Sequence, residues 1–217
     1  MNYYLLSAIT IGSSLLPVVV CAARFKLLDK ASRVFFLLLL ISFVTECLAI
    51  LVAFKYGNNL AVYNLANLSQ IFVIAVYFNY TIKLFEQWNL GYLIGLLSAL
   101  FGVLNLIYFE PINVYNSNFF LYQTILVISL GLSLYIQFLY FEHYFKMHNS
   151  VHFWLVLVLM FFYALNYGNM SLYKYLTEHL PESKSAIDAA IVILNGITNV
   201  CFAVIFFLYP KFKRNHA

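Results

Sequence analysis

The residue whose type and position most clearly indicate chemistry is a single carboxylate, that of Glu46. It lies near the middle of a long apolar run, VFFLLLLISFVTECLAILVAF, which extends from Val34 to Phe54. An ionisable side chain at the depth of a bilayer core is costly, so it usually faces the interior of a bundle or water and has a function. No Lys, Arg or His lies deep in any apolar run to neutralise it. Glu46 is therefore either a neutral acid hydrogen-bonded to an amide, or a carboxylate that faces water, a cation or a cationic ligand.

Several amide side chains lie at a depth similar to that of Glu46. Glu46 lies about eight residues from the end of its run, Gln70 about nine and Asn195 about eight, so the three differ by only a few ångströms in height. Three further amides fall within about one helical turn of that level. The predicted ligand-binding residues are Glu46, Asn67, Gln70, Asn166, Asn195 and Asn199.

The alternative interpretation of these polar residues is that they hold the helices together. Interhelical hydrogen bonds in membranes contribute about 0.6 kcal/mol each. For the Asn and Gln side chains the two interpretations stay open. For Glu46 the functional one is favoured, because a neutral Gln would supply a similar bond at lower cost.

The elements that must position these residues are long apolar helices. The chain has 217 residues, of which 64% are hydrophobic and 9% charged, whereas soluble domains have about 25% charged residues. Seven apolar runs are long enough to cross a bilayer, which takes about 20 residues. They cover about 3–23, 34–54, 61–82, 90–108, 119–141, 152–171 and 187–209. The sequence predicts one all-α domain over residues 1–217, a polytopic integral membrane bundle of seven helices.

The basic residues predict how this bundle is oriented. Nine of the 12 Lys and Arg residues flank the same end of the seven runs. They are Arg24, Lys26, Lys30, Arg33, Lys83, Lys146, Lys211, Lys213 and Arg214. Because loops rich in Lys and Arg stay in the cytoplasm, we expect a cytoplasmic C-terminus, an N-terminus outside and a location in the plasma membrane. The first residues, Met1 to Tyr4, offer no basic region typical of a cleavable signal peptide.

A stripe of small residues follows one face of the fourth run. Its members are Gly91, Gly95, Ser98 and Gly102, followed by Asn105. Such spacing lets helices approach closely. It predicts a helix packed tightly inside the bundle, or a contact with a protein partner or a second copy of the chain.

Two further features of the chain concern the last two runs. The connection between them has Leu172, Leu176 and Leu180 at helical spacing, which predicts that the sixth helix continues outward or that a short interfacial helix follows. Pro210 is expected to end the last helix, because proline cannot continue the backbone hydrogen bonds.

The sequence also argues against several classes of protein. The basic residues lie at helix ends rather than in a patch, so no nucleic-acid partner is expected. His143, His148 and His152 flank a turn and are typical of interfacial histidines, and the three cysteines have no metal-type spacing, so no metal or cofactor is expected. Intramembrane proteolysis would need a deep Ser–His or paired-Asp arrangement, which is absent. An enzyme is therefore the least favoured interpretation.

Three functions remain open. The first is a binding or sensing module, with a polar site around Glu46 in the outer half of the bundle for a small polar or cationic ligand. The second is a small proton-linked transporter in which Glu46 alternates between protonated and occupied states. The third is a structural subunit of a membrane complex. Under each of the three, the lipid bilayer is an expected partner of the protein.

Overall fold

The apolar runs fold as helices, because a helix satisfies every backbone polar group inside its own segment. The structure is a computed structural model that describes residues 3–141, 144–179 and 184–214. The helices are α1 Tyr3–Ala23, α2 Lys30–Tyr56, α3 Leu60–Asn79, α4 Lys83–Trp88, α5 Leu90–Tyr108, α6 Ser117–Phe141, α7 Val151–His179 and α8 Lys184–Arg214. Two 3₁₀ turns, Phe25–Leu27 and Tyr144–Asn149, lie between them. Over these described ranges the fold is all-α.

Six of these helices are long and apolar enough to cross a membrane: α2, α3, α5, α6, α7 and α8. The apolar segment of α1, Ala8–Ala23, is shorter. The chain therefore has the helices of a multi-pass membrane protein. The seventh crossing and the orientation stay predictions.

Local signals in the sequence set the ends of α2, the helix that carries Glu46. Asp29 caps its start, since the Ser32 amide donates a 2.7 Å hydrogen bond to Oδ1 of Asp29. Gly57 ends it with φ +74°, a left-handed conformation that glycine adopts without steric cost. Glu46 thus lies in the interior of a helix whose two ends are defined by local sequence signals.

The helices form a closed arrangement in which α3 has the most central position. α1 packs against α2 and α8, α3 against α2 and α5, and α7 against α6 and α8. Contacts of α6 with α3 and α5 complete the arrangement. Side chains of α2, α7 and α8 surround Tyr77 and Phe35 in the core.

The bundle has two chemically different ends. The basic end holds the connections on either side of α4, the α1–α2 connection, the start of α7 and the last turns of α8. There Gln137 on α6 accepts a 2.8 Å hydrogen bond from the Lys83 amide and donates one to the Thr81 carbonyl. The opposite end holds the α2–α3 and α5–α6 connections, which Asn58 joins by donating to the Asn113 carbonyl at 3.1 Å.

On α3, packing is tighter toward the basic end than toward the opposite end. On α3, every residue from Ile71 to Asn79 except Phe72 is buried. From Leu60 to Gln70, Asn64 alone is buried. The opposite half of the bundle is therefore more open around α3, and that half contains the predicted polar residues.

The glycine stripe of α5 (Gly91, Gly95, Ser98, Gly102 and Asn105) is the buried face of that helix. At Gly91 the amide donates a 3.0 Å hydrogen bond to Oδ1 of Asn79 on α3. A Cβ at Gly91 would overlap the Ala75 carbonyl oxygen and the Asn79 side chain. The stripe thus packs against α3 inside the bundle, as one of its two interpretations predicted. The contact with a partner or a second copy stays a prediction, and it would require α3 to be displaced.

Three local features complete the comparison with the sequence predictions. The helix of the sixth run does continue beyond the run, as α7, to His179. The prediction that Pro210 ends α8 is wrong, because the helix runs to Arg214. Near a helix end proline removes only one backbone hydrogen bond, so the final turn survives. The short helix α4 was not predicted, and residues 180–183 and His143 lie outside the described residues.

Candidate functional site

The carboxylate of Glu46 faces α3 and is half-buried. The Tyr63 hydroxyl on α3 donates a hydrogen bond of 2.9 Å to Oε2 of Glu46. Among the described residues, no Lys, Arg or His lies within ion-pair distance of this carboxylate. Within the part of the chain that the structure describes, Glu46 therefore has a hydrogen-bond donor beside it but no counter-cation.

A second polar contact joins the same two helices one turn further into the bundle. Nε2 of Gln70 donates to Oγ of Ser42 at 3.4 Å, a long hydrogen bond. Ser42 lies one helical turn from Glu46 on α2, and Gln70 lies two turns from Tyr63 on α3. The α2–α3 contact thus has a polar strip in the more open half of the bundle.

Asn67 lies between Tyr63 and Gln70 on the same side of α3. Its side chain is half-buried. Its backbone carbonyl accepts a 2.9 Å hydrogen bond from Nε2 of Gln123, which ties α3 to α6. Gln70 thus contacts the helix that carries Glu46, and the place of Asn67 in a common site with Glu46 stays a prediction.

The other three predicted site residues lie on α7 and α8. Nδ2 of Asn166 donates to the Phe162 carbonyl of its own helix at 3.0 Å. Nδ2 of Asn199 donates to Oγ of Ser13 on α1 at 3.4 Å. Oδ1 of Asn195 is buried without a hydrogen-bond partner among the described residues. Within that part of the chain, no hydrogen bond links these three amides to Glu46, and their place in a common site stays a prediction.

A second polar cluster, at the basic end, was not predicted from the sequence. His152 Nε2 lies 3.0 Å from Oδ2 of Asp29. The Nδ1 atom of the same ring lies 3.1 Å from the Tyr77 hydroxyl. The Asp29 amide donates a 2.9 Å hydrogen bond to the Tyr209 hydroxyl. This Asp29 network joins the start of α2 to α3, α7 and α8.

The protonation of Asp29 is controlled by these neighbours. Burial raises the pKa of this carboxyl group, but the hydrogen bond and charge of His152 and the Ser32 amide lower it more. The net result is a pKa below the ordinary value for Asp. The carboxylate is therefore charged at neutral pH and stabilises the basic end through both its cap and its contact with His152.

A cavity of about 470 Å³ opens beside the Asp29 network. Its wall includes two basic side chains, one carboxylate, two hydroxyls and one imidazole, together with apolar groups. The polar residues lining it are Lys26, Asp29, Arg33, Ser150, His152 and Tyr209. This arrangement can bind an ion or a headgroup, which the sequence alone did not indicate.

The signals for this second cluster were present in the sequence but could not be combined. Asp29 stands three residues before Ser32, at the start of an apolar run, which is a helix-cap pattern. His152 was interpreted as an interfacial histidine. The two residues are 123 positions apart, so their contact depends on which helices are neighbours.

Comparison with known protein families, with curated proteins and with solved structures finds no match for this chain. The function has to follow from the residues themselves. Within the described residues, no cluster of three or more His, Cys, Asp or Glu side chains could hold a metal ion. The chemistry available at the α2–α3 contact is that of a carboxylate, a phenol and amides.

Proposed function

We propose that this protein is a membrane-embedded binding module that takes a small polar or cationic ligand beside Glu46. The ligand's cationic or donor group would face the Glu46 carboxylate, with the Tyr63 hydroxyl and the Gln70 amide at its sides. The observation that carries the proposal is the Glu46 carboxylate itself, which lies half-buried between α2 and α3 with a phenol beside it and no cation within reach among the described residues.

The neighbours of Glu46 compensate only part of the energetic cost of its charge. A carboxylate within a membrane-spanning helix needs a counter-charge or several hydrogen bonds to remain ionised. A bound cation or proton supplies that charge. Binding is then favoured, because it removes an existing electrostatic cost rather than creating a new one.

The packing of α3 supports access to this group. Around Glu46 the neighbouring turns of α3 are half-buried or exposed except at Asn64, whereas its turns at the basic end are buried except at Phe72. We infer that a ligand enters from the end opposite the basic residues. With the positive-inside orientation this is the outer face of the plasma membrane. A sensing role would need a protein partner, because the connections at the basic end are short.

The proposal is tested by ligand-induced stabilisation of the full-length protein in a neutral detergent. The probes are small amines, from methylammonium to choline, each compared with sodium chloride at equal ionic strength. We expect one or more amines to raise the Tm of the wild-type protein and to have no effect on Glu46→Gln. Lack of stabilisation by every amine, or equal stabilisation of Glu46→Gln, contradicts a cation site at this carboxylate.

Ser69→Ala provides a matched control for this experiment. Ser69 is an exposed residue of α3 whose hydroxyl donates to the Ala66 carbonyl of its own helix at 2.8 Å. It neighbours Gln70 in sequence but lies on another side of the helix. The response of Ser69→Ala to amines should equal that of the wild-type protein.

A proton-linked transporter is the second candidate, and a specific observation favours it. The polar side of α3 includes Tyr63 and Gln70 and extends to Tyr77. The Tyr77 hydroxyl contacts His152. Titratable groups therefore occur near both ends of the same helix, with the buried Ile74 between Gln70 and Tyr77. Ionisable residues inside membrane helices form the proton relays of pumps and transporters, so this arrangement favours a carrier.

Transport is distinguished from binding by proton movement in liposomes. The protein is reconstituted with a pH-sensitive dye trapped inside, and the amine that stabilises it most is added outside. Coupled transport predicts a pH change that disappears in Glu46→Gln. An amine that binds without any pH change supports the binding module and rejects the carrier.

A further inference from the structure

We propose that the cavity at the basic end binds the phosphate group of an anionic phospholipid, held between Lys26 and Arg33. The cavity and Glu46 lie in opposite halves of the bundle. Lipid binding in the cavity is therefore independent of the proposed ligand site. Its volume is about 470 Å³, which accommodates a lipid headgroup. The argument rests on the charges, the donors and the apolar groups that line it.

The charges in the cavity favour an anion. Lys26 and Arg33 are both exposed, and within the described residues neither has a carboxylate within ion-pair distance. Among the described residues of the lining, Asp29 is the one acidic residue, and its two oxygens contact the Ser32 amide and His152. The basic side chains therefore remain available to a ligand.

Local contacts restrict where these cations can point. The guanidinium carbon of Arg33 lies 5.3 Å from the centre of the Phe25 ring, a cation–π distance. Lys26 belongs to the 3₁₀ turn Phe25–Leu27, just before the cap residue Asp29. Lys26 from this turn and Arg33 from the first turns of α2 line the same cavity, where a phosphate can contact them together.

The rest of the lining favours a lipid over a soluble anion. Ser150 and His152 add polar groups, while Leu27, Val151 and Phe212 form an apolar side. Leu27 and the neighbouring Phe25 are also exposed, which suits contact with acyl chains at the membrane surface. Basic pockets between membrane helices are known to bind anionic headgroups through this combination of charge and apolar contact.

The test measures binding of two lipids and one soluble anion to the full-length protein in a neutral detergent. The probes are short-chain phosphatidylglycerol, short-chain phosphatidylcholine and inorganic phosphate. Bound lipid is counted by native mass spectrometry, and Tm is recorded in parallel. We expect phosphatidylglycerol to bind more tightly than phosphatidylcholine, and inorganic phosphate to cause little stabilisation.

The decisive variant is Lys26→Gln/Arg33→Gln. Each basic residue near an anionic surface contributes about five-fold in affinity, so the double variant should bind phosphatidylglycerol about thirty-fold more weakly. Arg24→Gln/Lys30→Gln removes the same charge from the same connection but leaves the cavity lining unchanged. This control should retain its affinity within about three-fold.

Each outcome decides a part of the proposal. Equal losses in the two double variants overturn the site, because they indicate attraction to net charge alone. Equal binding of the two lipids overturns it as well. Strong stabilisation by inorganic phosphate without retention of lipid supports a phosphate site but overturns the lipid as its source. Lys26→Arg/Arg33→Lys, which keeps both charges, should bind phosphatidylglycerol as the wild-type protein does, and this controls for loss of folding.

Discussion

The Tyr63 hydroxyl on α3 donates a 2.9 Å hydrogen bond to Oε2 of Glu46 on α2. The bond crosses the contact between the helix that carries the acid and the most central helix of the bundle. It gives the carboxylate a fixed position at the more open half. It also makes the two side chains energetically dependent on each other.

This dependence is measurable by a double-mutant cycle. We expect Glu46→Gln and Tyr63→Phe to be non-additive in unfolding free energy by about 1 kcal/mol or more, because hydrogen bonds to charged groups contribute about 1.5–3 kcal/mol. Unfolding is followed by titration with a denaturing detergent. Tyr108→Phe, at an exposed position on α5, is the control and should be additive with Glu46→Gln within about 0.5 kcal/mol. Because Gln keeps an acceptor oxygen for the Tyr63 hydroxyl, additivity at Tyr63 itself would show that the charge of Glu46 does not strengthen the bond.

Gly91→Ala tests the close contact between α5 and α3. The added Cβ would meet the Ala75 carbonyl oxygen and the Asn79 side chain, so we expect a loss of about 1–3 kcal/mol from overpacking. Gly196→Ala is the matched control, because a Cβ there meets nothing within 4 Å. It should leave the stability unchanged or raise it by up to about 1 kcal/mol through helix propensity. Equal stability of the two variants would contradict the packing of the stripe on α3.

We expect the folded protein to lose stability in acid because of Asp29. Its pKa in the folded protein lies below the ordinary value, so the unfolded chain binds the proton more readily. The stabilisation is present above about pH 4 and is lost as the pH falls through the ordinary pKa towards the lowered one. Because the side chain is 48% exposed, we expect a loss of at most about 1 kcal/mol.

Asp29→Asn isolates this effect. Asn caps helices about as well as Asp, so the start of α2 is preserved while the titrating group is removed. The difference in Tm between the wild-type protein and Asp29→Asn should shrink as the pH is lowered below about 4. A difference that does not change with pH would contradict the role assigned to the carboxylate.

We expect Asn64 to hold the α5–α6 connection in its ordered conformation. Its Nδ2 donates to the carbonyls of Ile112 and Val114 at 2.7 and 2.8 Å, and the residue is buried. We expect Asn64→Ala to cost about 1–3 kcal/mol and to expose this connection to proteolysis. Digestion followed by mass spectrometry locates the cleavage. Asn67→Ala, one turn away, should be cut no faster than the wild-type protein.

The sequence predicted the helices well and their neighbours poorly. The apolar run from Val34 to Phe54 lies within α2, Lys30–Tyr56, because length and hydropathy are local properties. The small residues from Gly91 to Gly102 indicated a close contact, although not the helix that makes it. Only the small size of a residue is visible in the sequence, while the partner is set by the three-dimensional order of the helices.

The neighbours of the polar residues were even harder to predict from the sequence. Helical spacing predicts that Gln70 and Asn67 lie on one side of α3, but it does not identify Tyr63 as the donor to Glu46. His152 and Asp29 lie near the ends of different helices, and no periodicity connects them. Depth in the membrane can be counted along a chain, whereas lateral position depends on packing among all the helices.

The hydrogen bond from the Gly91 amide to Asn79 also has a consequence for how the chain is made. α3 has the lowest mean hydropathy of the six long helices, 1.5, and its residues leave the ribosome ahead of those of α5. Until α5 follows, its stripe cannot cover Asn79 and the neighbouring turns of α3. We therefore expect α3 to be held in the membrane more firmly after α5 has inserted than before, so that the order of synthesis becomes a part of the folding pathway.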